Sequence, residues 1–324
     1  MQVEFQNPAL SYQKLKPEID SEIQRVLAAG DLVLRDDVEK FEKNVADFIG
    51  TKYAIGVGSG TDALILALKA AGIKAGDEVI TVSHTFVAPI EAIHHVGAIP
   101  VLVDIGEDGL MDMEKIHEAI TWGTKAVIPV HLEGKICDMG KLYEIQRTYD
   151  NQFVVIEDAA QAWGAKNAGS FGLAGCFSCY WAKILGAYGN AGIITTDDEE
   201  IAKKVKGYRF HYNIGKVPVD EDVDYGFTME LDNLEACILN CRFKYLLDNI
   251  KRRQEIADMY YEGLKDLEET GKIKLPLKQN GRVYQDFVIR IPKRKVELVE
   301  HFKKNDIEIL GYNLIPNHFY PKLN

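Results

Sequence analysis

No stretch of this 324-residue chain approaches the roughly 20 consecutive apolar residues needed to span a bilayer. The opening MQVEFQNPALSYQ also lacks the basic and then apolar layout of a secretory signal. A cytosolic protein with no membrane partner is expected. Positive charge is in short supply: 38 Lys+Arg against 49 Asp+Glu leave −11 at pH 7, which argues against a general nucleic-acid surface. An anionic ligand would need a locally built pocket. Cysteine is scarce and odd in number, and Cys137, Cys176, Cys179, Cys237 and Cys241 suit reduced thiols. Cys176 and Cys179 have a metal-like spacing, but no second matched Cys or His pair accompanies them, so no metal site is expected.

What the chain does have is apolar material, at 47% of residues, enough for one large domain and a small one. From about residue 36 helical and strand patterns alternate, as in an α/β domain. DDVEKFEKNVADFIG puts Val38, Phe41, Val45 and Phe48 near one helical face and stops at Gly50. The runs YAIGV, EVITV, IPVLVDI, AVIPV, FVVIED, CFSCY and GIITT are apolar on both faces, which predicts a buried, mostly parallel sheet. A long helical stretch is expected from about 230 to 268. Beyond it, KIKLPL, DFVIRI, a helix around VELVEHFKK and the run IEILGYNLI suggest a smaller α/β unit.

Three segments carry candidate chemistry. In GVGSGTDALILAL a strand ends at Val57 and a helix starts near Thr61, so Gly60 and Thr61 sit where outward amides and the helix dipole can hold a phosphate. A glycine-rich turn with Thr61 as a helix cap fits the same residues. In FVVIEDAAQAWGA, Asp158 falls just past a very apolar strand, where ligands gather in open α/β sheets, although a turn-capping role fits too. In CFSCYWAKILGAYGNAGIITT, Lys183 lies amid aromatic and small residues with few charges. A desolvated lysine there supplies a neutral amine able to condense with a carbonyl, whereas an ordinary lysine is a solvated surface group.

Taken in order, GSGTDAL, SHTFVA, PVHLEGKICDM, VIEDAAQAWGA and FSCYWAKILGAYGNAG closely resemble the DegT/DnrJ/EryC1/StrS family of sugar aminotransferases over nearly the whole chain. The resemblance implies an aspartate-aminotransferase-like α/β fold (fold type I) and the cofactor pyridoxal 5'-phosphate (PLP, with its amine form PMP). It implies a large PLP-binding domain over 1–248 and a smaller C-terminal domain over 249–324. By the same resemblance, Lys183 matches the Schiff-base lysine and Asp158 the partner of the pyridine nitrogen. Gln161 matches the glutamine beside the ring hydroxyl, and Phe86 the aromatic that stacks on the ring. Gly60, Thr61 and Ser178 match phosphate-binding positions. Without the resemblance, Phe86 reads as core packing and Ser178 as a satisfied strand hydroxyl.

Several positions depart from the family pattern. The usual G-x-N-x-R segment, whose Asn reaches the neighbouring subunit's cofactor phosphate, reads GFTMELDNLEA, with Thr228 and Glu230 in place of Asn and Arg. Trp181 and Ala182 replace the more usual residues before the lysine, and Glu133 stands where tyrosine is common. Family members usually continue past IPNHFYPKLN, so either the smaller domain is shortened or the sequence is clipped there. His318 resembles a family histidine near the substrate, while a mobile terminal histidine is the plainer expectation.

The resemblance implies transfer of an amino group, from an amino-acid donor such as glutamate, to a keto-deoxy sugar carried on a nucleotide, by a homodimer. Two alternatives stand beside it. One is a PLP-dependent nucleotide-sugar dehydratase on the same fold, whose members replace the lysine, typically with histidine. The other is a PLP-binding regulatory protein without turnover. Lys183 favours amino transfer over dehydration.

Overall fold

The computed structural model describes residues 2–213, 225–310 and 315–320. Every apolar run named above up to GIITT becomes a strand: β1 (Tyr53–Val57), β2 (Glu78–Val82), β3 (Ile99–Val103), β4 (Thr124–Val127), β5 (Val154–Asp158), β6 (Ala174–Ser178) and β7 (Gly192–Thr196). They form one sheet in the order β1-β7-β6-β5-β4-β2-β3. β7 runs antiparallel to β1 and β6, and the other pairs are parallel. The carboxyl ends of β1, β2, β4, β5 and β6 therefore lie along the same edge, where ligands gather in such sheets.

The helices are α1 (Pro8–Ala29), α2 (Asp36–Ile49), α3 (Gly60–Ala70), α4 (Ala88–His95), α5 (Met113–Ala119), α6 (Met139–Thr148), α7 (Glu199–Arg209), α8 (Asn233–Phe243), α9 (Leu246–Glu269) and α10 (Lys295–Lys304). Helices cover both faces of the sheet, which is why the strands read as continuous apolar runs; every residue of β6 and β7 is buried. α3 packs Leu64, Leu66 and Leu68 into one cluster with Ile156 and Ile194. Val38, Phe41 and Val45 of α2 enter a second cluster with Trp163, Phe177 and Ile193, and Phe48 packs at its margin. Asp36, Asp37 and Glu39 occupy the first turn of α2, at the positive end of its dipole, and Gly50 ends it at φ 85°.

The helical stretch from 230 to 268 is broken at Lys244 and Tyr245 into α8 and α9. α8 is docked by the buried Asn233, whose Oδ1 accepts from the Asp37 and Val38 amides at 3.1 and 3.2 Å. The expected division between residues 248 and 249 falls in the first turn of α9. KIKLPL and DFVIRI do not become strands. They meet through a single antiparallel bridge, Lys274 with Arg290, carrying hydrogen bonds of 2.8 and 2.9 Å. Pro276 and Pro292 follow closely and have no amide hydrogen to extend the ladder. Ile307 of IEILGYNLI pairs with Val3 by one parallel bridge, while residues 311–314 of that run lie outside the described residues. VELVEHFKK forms α10 as expected.

Candidate active site

The turn from β1 into α3 is capped by Ser59, whose hydroxyl accepts from the Asp62 amide at 3.0 Å, so the cap is not Thr61. Gly60 is required by close packing: a Cβ there would stand 2.8 Å from Ser178 Cβ. Gly192, opposite Ser178 on β7, would place a Cβ 2.3 Å from the Ser59 carbonyl oxygen. Three backbones thus close on one spot at the N-terminus of α3. Ser178 is buried there at the end of β6, and its hydroxyl accepts from the Tyr180 amide at 3.2 Å.

Asp158 ends β5 and is only 6% exposed. Its backbone is held from both sides, donating to the Pro129 carbonyl and accepting from the His131 amide, each at 2.9 Å. Oδ1 accepts from the Ala160 amide at 3.0 Å. Burial raises the carboxyl above its ordinary value, while that amide and the Lys183 charge pull it down. The preceding Glu157 is fully buried and accepts from Gly169, Phe171 and Gly172 amides at 2.8 to 2.9 Å. His131 Nδ1 accepts from the Cys137 amide at 3.2 Å, which puts the ring hydrogen on Nε2, 2.9 Å from Glu157 Oε2. These bonds lock the strand end that presents Asp158. Gln161 follows in the same loop, its Oε1 accepting from the Glu133 amide at 2.7 Å, a bond that does not use its NH₂ group.

Lys183 lies in a tight loop after β6, where its amide donates to the Tyr180 carbonyl at 2.8 Å and the Ala187 amide donates to Cys179 at 2.8 Å. Gly186 allows the loop to close, since a Cβ would meet the Tyr180 and Trp181 carbonyls at 2.6 and 2.7 Å. Burial lowers the Lys183 amine from its ordinary value, against the opposing charges of Asp158 and Asp286. A larger neutral fraction at neutral pH follows, as a nucleophilic amine requires.

The other expected residues are placed less tightly. Phe86 follows β2 on the same edge of the sheet but is 66% exposed, so it is not the core residue that composition alone suggests. Its loop is held by the buried Asn317, which donates from its amide and its side chain to the Ser83 carbonyl and from its side chain to Thr85. His318 is therefore carried next to that loop, exposed and tilted against Phe319. The Thr228 hydroxyl is already engaged with His211 Nε2 at 2.8 Å. Glu230 bridges to Val57, with Oε2 buried and without a hydrogen-bond partner among the described residues.

Four further residues join the site. Glu133, at a left-handed φ of 59°, holds Gln161 and pairs with Lys135 and with Arg282 Nη2, both at 3.1 Å. Arg282, Gln285 and Asp286 come from a segment that begins 149 residues beyond Glu133, whose side-chain identities gave no sign of a site. A Cβ on Gly134 would stand 2.8 Å from Val283 Cγ2, so the two segments touch.

A family model described as the DegT/DnrJ/EryC1/StrS aminotransferase family matches residues 13–323. The chain belongs to that family. It is 35% identical over 324 residues to a dTDP-3-amino-3,4,6-trideoxy-alpha-D-glucose transaminase of Micromonospora megalomicea subsp. nigra, covering 96% of this chain and 82% of the relative. It is 40% identical over 317 residues to a dTDP-3-amino-3,6-dideoxy-alpha-D-galactopyranose transaminase of Aneurinibacillus thermoaerophilus, covering 95% and 84%. The crystal structure of S. venezuelae DesV in complex with a ketimine intermediate superposes with a TM-score of 0.91 at 34% identity, covering 99% of this chain and 86% of that one. The expected fold type I architecture is borne out: an α/β protein with a mostly parallel seven-stranded sheet.

Proposed function

We propose that this chain is a PLP-dependent aminotransferase that moves an amino group from glutamate to a nucleotide-linked keto-deoxy sugar. The observation that carries the reading is that buried Asp158 at the end of β5, the Lys183 loop after β6 and the Gly60–Ser178 cradle lie along one edge of the sheet. The residues fit the cofactor. The cradle offers a helix N-terminus and a hydroxyl to a phosphate, with Gly60, Thr61 and Ser178 as its holders. Asp158, costly to bury as an anion, suits a protonated ring nitrogen that neutralises it. Gln161 has amide donors for the ring hydroxyl, and Phe86 an exposed face for stacking.

When bound, PLP supplies a carbonyl carbon for amine attachment and a ring that withdraws electrons as a substrate proton leaves. Lys183 would hold the cofactor through its neutral amine and would move the substrate proton as general acid and base. Asp158 would keep the ring nitrogen protonated. We also place the enzyme in the cytosol, consistent with five buried cysteines that are free thiols. No helix among the described residues is long and apolar enough to cross a membrane. With glutamate and a panel of nucleotide-linked keto sugars, mass spectrometry is expected to show 2-oxoglutarate and amino sugar in equal amounts. Release of a deoxygenated sugar with ammonia would replace this reading with dehydration, and no product from any acceptor would leave a binding protein.

A homodimer is part of the proposal. An apolar surface of about 410 Å³ cavity volume is lined by Pro8, Ala9, Tyr12, Ile19, Tyr188 and Ile238, where α1 crosses α8. Such a patch favours burial against a second copy. Thr228, held by His211, replaces the family's cross-subunit phosphate contact and is expected to leave the cofactor more weakly held than in relatives. Sedimentation is expected to give a dimer; a monomer that binds PLP tightly would contradict both points.

A further inference from the structure

Lys183 is gripped from outside its own loop. Gln285 is 6% exposed, and its Nε2 donates to the Ala182 carbonyl while its Oε1 accepts from the Ile184 amide, both at 3.1 Å. One side chain thereby spends its donor and its acceptor on the two neighbours of the lysine. Gln6 Nε2 adds a second donor to the Ala182 carbonyl at 3.1 Å. Gln285 is itself fixed from α9, where Arg253 Nη1 donates to the Tyr284 and Gln285 carbonyls at 3.1 Å. Arg282 Nη2 donates to the Asp286 carbonyl at 3.2 Å and to Glu133 Oε2 at 3.1 Å, and the Glu133 amide donates to Gln161. The segment from 282 to 286 therefore connects the lysine loop to the residue assigned to the ring hydroxyl.

We propose that Gln285 is a positioning residue for Lys183: its one side chain fixes the backbone on either side of the lysine. This rests on Lys183 being the PLP-attachment residue.

The test uses the holoenzyme and two variants, with the lysine–PLP linkage followed by absorbance. Gln285→Asn keeps the amide but is one methylene shorter, so it cannot hold both the Ala182 carbonyl and the Ile184 amide, and it is expected to release PLP on dilution several-fold faster. Gln285→Leu removes two hydrogen bonds and is expected to release PLP on dilution about tenfold faster, with the borohydride label still on Lys183. Unchanged release from Gln285→Leu overturns the clamp, and if that variant does not fold, unchanged release from Gln285→Asn does so. A label on another lysine in the unsubstituted protein would overturn the attachment assignment and this proposal with it.

Discussion

Lys183→Ala is expected to lose at least about 10³-fold of amino transfer, because one side chain both attaches the cofactor and moves the substrate proton. Added small amines are expected to restore little of it, since the tight loop that ends at Gly186 presents the amine at a fixed place. The variant is expected to fold normally: the loop is held by backbone bonds and by Gln285, none of which uses the lysine side chain. PLP is expected to bind still, through the cradle and Asp158, but without a borohydride-stable adduct. Peptide mapping of the reduced parent is expected to find PLP on Lys183. Lys183→His makes the second half of the experiment, because it restores a proton carrier without an amine. It is expected not to transfer nitrogen. Turnover retained by Lys183→Ala, or an adduct on a different lysine, would remove Lys183 from the chemistry.

Much of this arrangement was legible in the sequence because it is local. The runs from YAIGV to GIITT are short, apolar on both faces and separated by helical periodicity, and each became a strand of the predicted sheet. Asp158 stands at a strand end whose neighbours decide its place, and Gly60 is where a side chain cannot fit. What was not legible is tertiary. Glu133, Arg282, Gln285 and Asp286 gain their roles only when a distant segment lies against the lysine loop. No periodicity marks such a contact. The C-terminal runs differ from the sequence expectation for a related reason: β-rich composition describes a fit to a sheet, and KIKLPL and DFVIRI find a partner at one position only. Thr228 shows the converse case. Its departure from the family pattern was visible, but its capture by His211 needed the fold.

Asp158→Asn is expected to leave the fold intact and to slow turnover by about 10²- to 10³-fold, the scale of losing one preorganised electrostatic group. The amide is nearly the same size, and its oxygen can still accept from the Ala160 amide, so the turn after β5 keeps its bond. The backbone bonds to Pro129 and His131 are untouched. What changes is charge. A buried carboxylate keeps the ring nitrogen protonated and so favours loss of the substrate proton, whereas a neutral amide does not. The apo-protein offers an independent reading of the same charge. Burial raises the Asp158 carboxyl in the folded state, so the folded chain holds that proton more tightly than the unfolded one. Its contribution to stability therefore falls as pH rises from the unfolded value through the folded one. Asn removes that fall, and the apo variant is expected to be no less stable than the parent at neutral pH while far less active with PLP. Thermal unfolding of both apo-proteins across pH, paired with turnover of the loaded enzymes, checks the two halves together. Unchanged turnover in Asp158→Asn would reduce Asp158 to a turn cap for Ala160.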